Sequence, residues 1–539
     1  MEKLYNNIIL ADDFTSKMSY PNNVPYLKNP PEIINITVGR QLFVDDFLIE
    51  KTNLTPEYHK ARKFEGNPVL FPETKLETET GMPVACPKSG GVWYDEEDKK
   101  YKMWYEAGWL HYLAYAESDD GIHWVRPDLD LVPGTNQILP FDGSVSFADD
   151  PYGNLQPDSV TFWIDYDAPK EEKYKMAHHG PRWDAGGVLG TSADGIHWKL
   201  HGMTGEAGDR NSFFYNPFRK KWVFSIRGGW GNGDKYFVGR RKRAYWESDS
   251  FFEGTDWGKE KNSYDWLSCD IEDFLDPYLL SPKAIKGILA GEVNFEWEKP
   301  GLYCVDCVGY ESIMLGMFEI HQGLDNRDFA ITGAPKITEL IPMYSRDGYN
   351  YSRPCRDPFI WASRCKGTWD RGYVQSVGGV CIIHGDELWI YYSAFAGDES
   401  KGNRNISEKD IDEGSSGMYC NGATGIAILR RDGFVSMNGK GELLTRKLEF
   451  TGKKSMGINA IGKVSVEIYD ENNTLLAKSE EFDGDSTNHI LDFGDFSVES
   501  LNSKVFRLKF IVDGKLYSFG FADETGDYGG AHAAGIAEV

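Results

Sequence analysis

No stretch of roughly eighteen apolar residues occurs in this chain of 539 residues, which excludes a transmembrane helix. Positive charge is scarce, with 58 Lys and Arg against 83 Asp and Glu and a formal net charge of −25. Such a surface repels phosphate backbones and anionic lipid, so nucleic acid and membrane are not expected as partners. The one basic run, Arg240-Arg241-Lys242-Arg243, is short and lies inside a strand-like stretch. It reads as a solvated strand or a set of ion pairs. The 8 cysteines are scattered and do not suggest a disulfide scaffold. Cys304 and Cys307 form a lone CxxC on a strand, where i and i+3 face opposite ways, which argues against zinc. The N-terminus lacks a basic segment followed by an apolar core. The chain therefore reads as cytoplasmic. A periplasmic or secreted chain whose signal peptide had been removed would read the same.

What the chain has instead is aromatic residues and glycine: 16 Trp, 29 Tyr, 30 Phe and 58 Gly. Together these suit short strands joined by tight turns. One turn recurs. Ser118-Asp119-Asp120-Gly121-Ile122-His123-Trp124 returns as Ser192-Ala193-Asp194-Gly195-Ile196-His197-Trp198 and as Ser345-Arg346-Asp347-Gly348-Tyr349-Asn350-Tyr351. Arg431-Asp432-Gly433-Phe434 is a shortened copy, and Ser248-Asp249-Ser250-Phe251-Phe252, with Trp257 following, is a degenerate one. Asp-Gly between strands is a hairpin signal, so these turns are structural, His123 and His197 included. Each copy follows two or three further strand candidates. Five such units predict an all-β fold, a five-bladed β-propeller followed by a C-terminal antiparallel β-sandwich.

The expected layout is an N-terminal arm over 1–40, a propeller over 41–440, a sandwich over 441–530 and a fraying tail over 531–539. The stretch from Leu42 to Ile49 is a candidate early strand that helps close the ring. Lys463 to Ile468 and Val505 to Phe510 alternate polar and apolar, as sandwich strands do.

In a propeller, the starts of first strands and the ends of second strands converge on one rim of the channel, where pockets form. Aligning the units on the turn after the first strand puts Lys88, Asp158, Asp209 and Cys304 at one position, with Asp306 two residues on and Gln375 in the fifth unit. The returning strands end at Glu106, at His178 and His179, at Arg227, and at Glu319 with His321. Asp158, Asp209, Asp306 and Glu106 are the catalytic candidates. Crowded carboxylates push each other's pKa values apart, leaving one an acid and another a base, the division that glycoside hydrolysis uses. Lys88, Arg210, Arg227, His178, His179, Glu319, His321 and Gln375 are the candidate substrate-binding residues.

Four segments carry a family resemblance: Gly208 to Arg219, Tyr310 to Gly316, Val374 to Gly379 and Leu429 to Met437. On these the chain resembles the five-bladed β-propeller glycoside hydrolases of families 32, 43 and 68. More narrowly, it is similar to bacterial family-32-like proteins that are mostly of unassigned activity. The resemblance covers the chain from about Leu42 into the C-terminal sandwich. It is specific for architecture and weak for substrate. Two departures stop residue roles from being carried over. Lys88 stands where those relatives hold a blade-one carboxylate. Arg356-Asp357-Pro358 spells their second motif, but it follows the blade-four turn on the outer side of a blade and reads as accidental.

The function expected is hydrolysis of a terminal sugar on an oligo- or polysaccharide, with carbohydrate as the partner. The alternative is a carbohydrate-binding protein that kept the fold and lost the chemistry. No cofactor is expected. A structural Ca²⁺ and a homo-oligomer are left open. His178 and His179 are adjacent on a strand and face opposite ways, so both cannot easily ligate one ion.

Overall fold

A computed structural model describes residues 1–139, 160–178, 186–228, 241–259, 262–273, 279, 286, 289–291, 300–324, 326–401 and 417–537. Five antiparallel sheets stand in a ring. Blade 1 holds Val92–Asp95, Lys100–Ala107 and Tyr112–Ser118, with Ala85–Cys86 also paired to Lys100–Ala107. Blade 2 runs Thr161–Ile164, Tyr174–His178, Gly186–Ser192 and Lys199–Glu206 in that spatial order. Blade 3 runs Ser212–Asn216, Lys221–Gly228, Lys242–Ser248 and Tyr264–Ser268. Blade 4 runs Gly301–Glu311, Ile313–Gly323 and Ile337–Ser345. Blade 5 pairs Gly372–Ser376 and Ile382–His384 with Glu387–Phe395, then Gly422–Arg430. The first segments of neighbouring blades touch one another all the way round, which makes them the wall of a central channel.

The repeated turn works as a clamp between blades. In the first two full copies the serine hydroxyl accepts from the glycine N–H, and the aspartate accepts from the two N–H groups after the glycine. The third copy repeats these bonds at Ser345 and Asp347. Each turn then docks on the preceding blade. The Tyr391 hydroxyl of blade 5 donates to Gly121 O of blade 1 at 2.8 Å, and Trp104 Nε1 of blade 1 donates to Gly195 O of blade 2 at 2.7 Å. Trp266 Nε1 of blade 3 donates to Tyr349 O after the blade 4 turn at 2.8 Å. In the degenerate third unit Trp257 Nε1 donates to Glu206 O of blade 2 at 2.8 Å. In the fifth, the Tyr310 hydroxyl of blade 4 donates to Asp432 at 2.5 Å. His123 and His197 cap their own turn aspartates.

The ring is closed by a different N-terminal segment from the one expected. Arg62–Lys63 is the outer strand of blade 5, paired with Gly422–Arg430. Leu42, by contrast, pairs with Ser518 of the C-terminal sheet. Residues 1–40 are also more than a surface arm. Leu4, Ile8, Leu10, Val24, Tyr26, Ile34 and Ile36 are buried in the core of the C-terminal unit. Ile33–Asn35, Ile49–Thr52 and Thr55–Tyr58 extend its sheet. The propeller pairing thus begins nearer Arg62 than residue 41. Local patterning could not show this, because a short strand reads alike whichever sheet receives it.

That C-terminal unit is one ten-stranded sheet folded into two layers. Phe506 and Phe521 lie on the same strand, Phe506–Ala522, and straight would stand about 50 Å apart. Their ring centroids are 5.7 Å apart. The crease runs through Gly439, Gly514, Gly462 and Gly484, which are aligned across four strands. A Cβ at Gly514 would lie 2.1 Å from Ile461 O, so only glycine lets the strands bend this closely.

The tail is paired, not frayed, over its described residues 531–537, and residues 538–539 lie outside the described residues. Ala531–His532 pairs with Tyr310 and Glu311 of blade 4, and Ile536–Ala537 runs parallel to blade 5 at Ile383 and His384. Tyr94 N of blade 1 donates to Ala534 O at 2.9 Å. The tail therefore crosses one mouth of the channel, at the ends of the first strands. Backbone pairing outweighs the fraying entropy that its small residues suggest.

Two stability results are expected. Gly195→Ala adds a Cβ 2.7 Å from the Trp104 ring at φ +80°. It should cost about 2 kcal/mol or more in thermal unfolding, while Gly202→Ala, which meets nothing within 4 Å, should change little. Deleting residues 529–539 should lower stability by on the order of 3 kcal/mol, the scale of several lost backbone hydrogen bonds. An unchanged melting temperature would mean that the tail closes nothing.

Candidate active site

The mouth opposite the tail is where the first strands start, and its backbone is unusual. Lys88 of blade 1, Arg210 before the first strand of blade 3 and Tyr373 of blade 5 all take left-handed φ values, of 49°, 56° and 49°. None is glycine. Such conformations cost on the order of 1–3 kcal/mol each and gather where surrounding structure holds a functional geometry. Here they turn long polar side chains towards the channel. Lys88 Nζ lies 2.5 Å from Glu106 Oε2 and 3.9 Å from the centre of the Trp109 ring. Arg210 Nη2 lies 3.1 Å from Glu319 Oε2.

Two carboxyl groups share one face of blade 4. Glu319 pairs with Cys304 across the strands, and Asp306 is two residues along from Cys304, so both side chains point the same way at diagonal positions. Asp306 accepts hydrogen bonds from Ser376 Oγ of blade 5 and, at 3.4 Å, from Ser89 Oγ of blade 1. Glu319 accepts from Arg210 and, at 3.4 Å, from Ser376 N. Both residues are buried. Burial raises the pKa of Glu319, Arg210 opposes this, and the charge of Asp306 adds to the rise, leaving Glu319 above the ordinary glutamate value. Gln375, next to Ser376 in the chain, has both amide atoms buried and no hydrogen-bond partner among the described residues. A satisfied core would not leave an amide this way.

A second cluster adjoins the first. Tyr303 lies at a β-bulge between Leu302 and Cys304, and Tyr373 lies where the blade 5 register also shifts. Bulges re-aim side chains. The two hydroxyls meet at 2.9 Å, and Lys336 Nζ donates to Tyr303 Oη at 2.8 Å. Arg241 lies 4.4 Å from the centre of the Tyr303 ring and Arg210 lies 5.9 Å from it. Burial alone would raise the Tyr303 pKa. Lys336 and Arg241 more than offset burial and bring it down to about 7. The His321 ring stands edge-on to Tyr303 at 5.8 Å. Trp109, stacked on Tyr419 at 3.8 Å, and Phe395 extend the aromatic wall.

The aligned positions are only partly brought together. Lys88, Glu106, Arg210, Asp306 and Glu319 face the channel mouth, with His321 at its side, whereas Gln375 alternates with Ser376 on its strand and lies on the face away from Asp306. Asp158 and His179 lie outside the described residues. Asp209 does not join Asp306; it is held by Arg227 at the partly exposed rim. The reason is local, since the left-handed turn at Arg210 sends that neighbour inward instead. His178 is turned between blades 2 and 3, where it lines a cavity of about 30 Å³ with Thr161 and Ser225. Arg356 is tied to Asp270 and Asp273, and Asp357 is exposed, so Arg356-Asp357-Pro358 builds no channel site.

Sequence reading missed Tyr303, Tyr373, Lys336 and the two serines on Asp306. The bulges that aim the tyrosines leave no sequence pattern. It also misread the basic run. Lys242 pairs with Asp265 at 2.6 Å, but Arg243 is fully buried and donates to the carbonyls of Arg210 and Tyr303. The period-two spacing of Arg241 and Arg243 was the available signal. Among the described residues no group of three His, Cys, Asp or Glu could hold a metal ion.

No protein-family model and no curated protein matches the sequence. Among solved structures, an N-acetylgalactosamine deacetylase from F. plautii aligns at 14% identity over 70% of this chain and 95% of its own, with a TM-score of 0.39. A putative glycoside hydrolase from Bacteroides ovatus aligns at 15% identity over 71% and 98%, with a TM-score of 0.39. An exo-β-1,3-galactanase from Phanerochaete chrysosporium aligns at 8% identity over 83% and 99%, with a TM-score of 0.37. The propeller assignment rests on the strand pairing of the chain itself.

The Tyr303 cluster has a direct optical test. The phenolate absorbance of the folded protein should titrate one tyrosine near pH 7, and Tyr303→Phe should abolish that step. Lys336→Met should move it upward, because the cation that favours the anion is gone. A titration showing only ordinary tyrosines would refute the assignment.

Proposed function

We propose that this protein is a glycoside hydrolase that removes a terminal sugar. One observation carries the reading: Asp306 and Glu319 share a face of blade 4 at the channel mouth, in unlike surroundings. Diagonal neighbours across a strand pair lie about 7–8 Å apart, within the span of glycosidase carboxyl pairs. Glu319, raised by burial and by Asp306, is the general acid that protonates the leaving oxygen. Asp306, fixed by two hydroxyl donors, is the base or nucleophile. The Lys88–Glu106 pair binds sugar hydroxyls. Trp109 and the tyrosines supply faces for a sugar ring. The tail lies along blades 4, 5 and 1 at the opposite mouth, narrowing it, which favours entry of a chain end from the site's own mouth.

A second reading is a sugar-binding protein without catalysis. The observation behind it is Lys88, a cation already paired with Glu106, at the blade-one position where the related hydrolases hold a carboxylate.

A panel of aryl glycosides and oligosaccharides separates the two. Wild type should hydrolyse at least one. Asp306→Asn and Glu319→Gln should each lower the rate by about a hundredfold or more, the usual scale for acid–base loss. The alkaline limb of the rate profile should sit above the ordinary glutamate range and disappear in Glu319→Gln, because the acid form is what that limb loses. Sugar binding without turnover in wild type would leave the second reading standing.

A further inference from the structure

The cluster around Tyr303 gathers positive charge from three parts of the chain. Arg210, Arg241, Arg243 and Lys336 surround one side chain, in a protein whose net charge is −25. Glu319 answers Arg210. Arg241 and Arg243 meet no carboxylate within 4 Å among the described residues, and Arg241 Nη1 and Arg243 Nε are buried without a hydrogen-bond partner. Like charges crowded out of water repel, and a buried guanidinium with open donors is costly unless something completes it. Burial, and then repulsion from Arg210 and Arg241, depress the pKa of Arg243. The basic run at 240–243 therefore does more than pair on the surface. Its alternate members, Arg241 and Arg243, are turned inward by strand periodicity and reinforce the cations of blades 3 and 4.

We propose that this site takes a sugar bearing an anionic substituent, a carboxylate or a sulfate, with the oxyanion seated against Arg241, Lys336 and the hydroxyl of Tyr303. The inference rests on the reading that this mouth receives a sugar. It adds the substrate class, an acidic glycan. Guanidinium and ammonium donors favour oxyanions over neutral hydroxyls. Tyr303 also gives the binding a signature. Its phenol faces Lys336, Arg241, Arg210, Tyr373 and His321, and near neutral pH it is poised to lose its proton. An anion arriving beside it opposes that loss. Phenolate therefore takes up a proton as the ligand binds.

The experiment is calorimetry and phenolate absorbance at about pH 8 on the full chain, with galacturonate, glucuronate, a galactose sulfate, galactose, glucose and inorganic phosphate. At least one acidic sugar should bind at least about tenfold more tightly than its neutral counterpart, should take up protons and should diminish the phenolate band. Preference for uronates identifies a carboxylate, and preference for the sulfated sugar identifies a sulfate; either supports the proposal. Arg241→Met should remove the acidic preference by about tenfold without lowering the melting temperature, because the substitution takes one like charge out of the cluster. Tyr303→Phe should bind without the absorbance change. Equal affinity for acidic and neutral sugars would overturn the proposal, as would full retention of the preference in Arg241→Met. Binding of inorganic phosphate in place of every acidic sugar would also overturn it, because the anion would then not be carried by the sugar. If galacturonate binds through Arg241 while the panel shows no Asp306-dependent hydrolysis, the catalytic reading fails and this one survives.

Discussion

The ring depends on one contact made in each unit, the docking of each turn region on the blade before it. In the first two copies a serine and an aspartate satisfy the turn's own N–H groups, which leaves the carbonyl of a left-handed glycine pointing outward. An aromatic donor of the preceding blade takes that carbonyl, as Trp104 does with Gly195. The glycine is required twice over, by its backbone angle and by the ring pressed against its α-carbon. Blades that met only through apolar faces could slide. A directed hydrogen bond from a buried indole or phenol fixes their angular spacing, and five such fixings set where the inner strands begin.

The channel mouth inherits its chemistry from that spacing. Residues remote in sequence, such as Ser89, Asp306 and Ser376, come together only because blades 1, 4 and 5 are held at set angles. Rigid positioning allows left-handed Lys88, Arg210 and Tyr373 to persist, since strain that a looser frame would release is held by the blades around it. The same frame crowds Arg210, Arg241 and Arg243, and it leaves the Gln375 amide without a partner among the described residues. Stability alone would not select either arrangement.

The C-terminal sheet and the chain ends tie the ring from outside. Arg40, from the N-terminal segment, reaches Asp432 of the fifth turn at 2.9 Å, and Ser518 of the C-terminal sheet reaches the same carboxylate at 2.6 Å. Burial opposes the ionisation of Asp432, but Arg40 and Arg431 outweigh it and hold the carboxyl below its ordinary range. The last turn of the propeller is thus a junction of three parts of the chain. The tail then returns to the channel and pairs with blades 4 and 5. The unit at the C-terminus braces the ring and supplies none of the mouth residues described above.

Five strand-rich units, the repeated turn and the alternating strands of the C-terminal sheet were legible in the sequence, because each rests on contacts between residues near in the chain. So were Lys88 and Asp306 as positions near the starts of the inner strands, since strand parity and turn alignment are local counts. Ring closure by Arg62–Lys63, burial of Leu4, Ile8, Leu10, Val24, Tyr26, Ile34 and Ile36 and pairing of the tail were decided by the tertiary structure, because a short strand carries no mark of its partner. The same holds for the site. Asp209 and Arg210 are neighbours in sequence, yet a left-handed turn sends one to the rim and the other to Glu319. Tyr303 is placed by a bulge in one strand, and its lowered pKa comes from Arg241 and Lys336, which reach it from other strands. Electrostatic environment is a sum over distant parts of the chain, and only the folded arrangement fixes its terms.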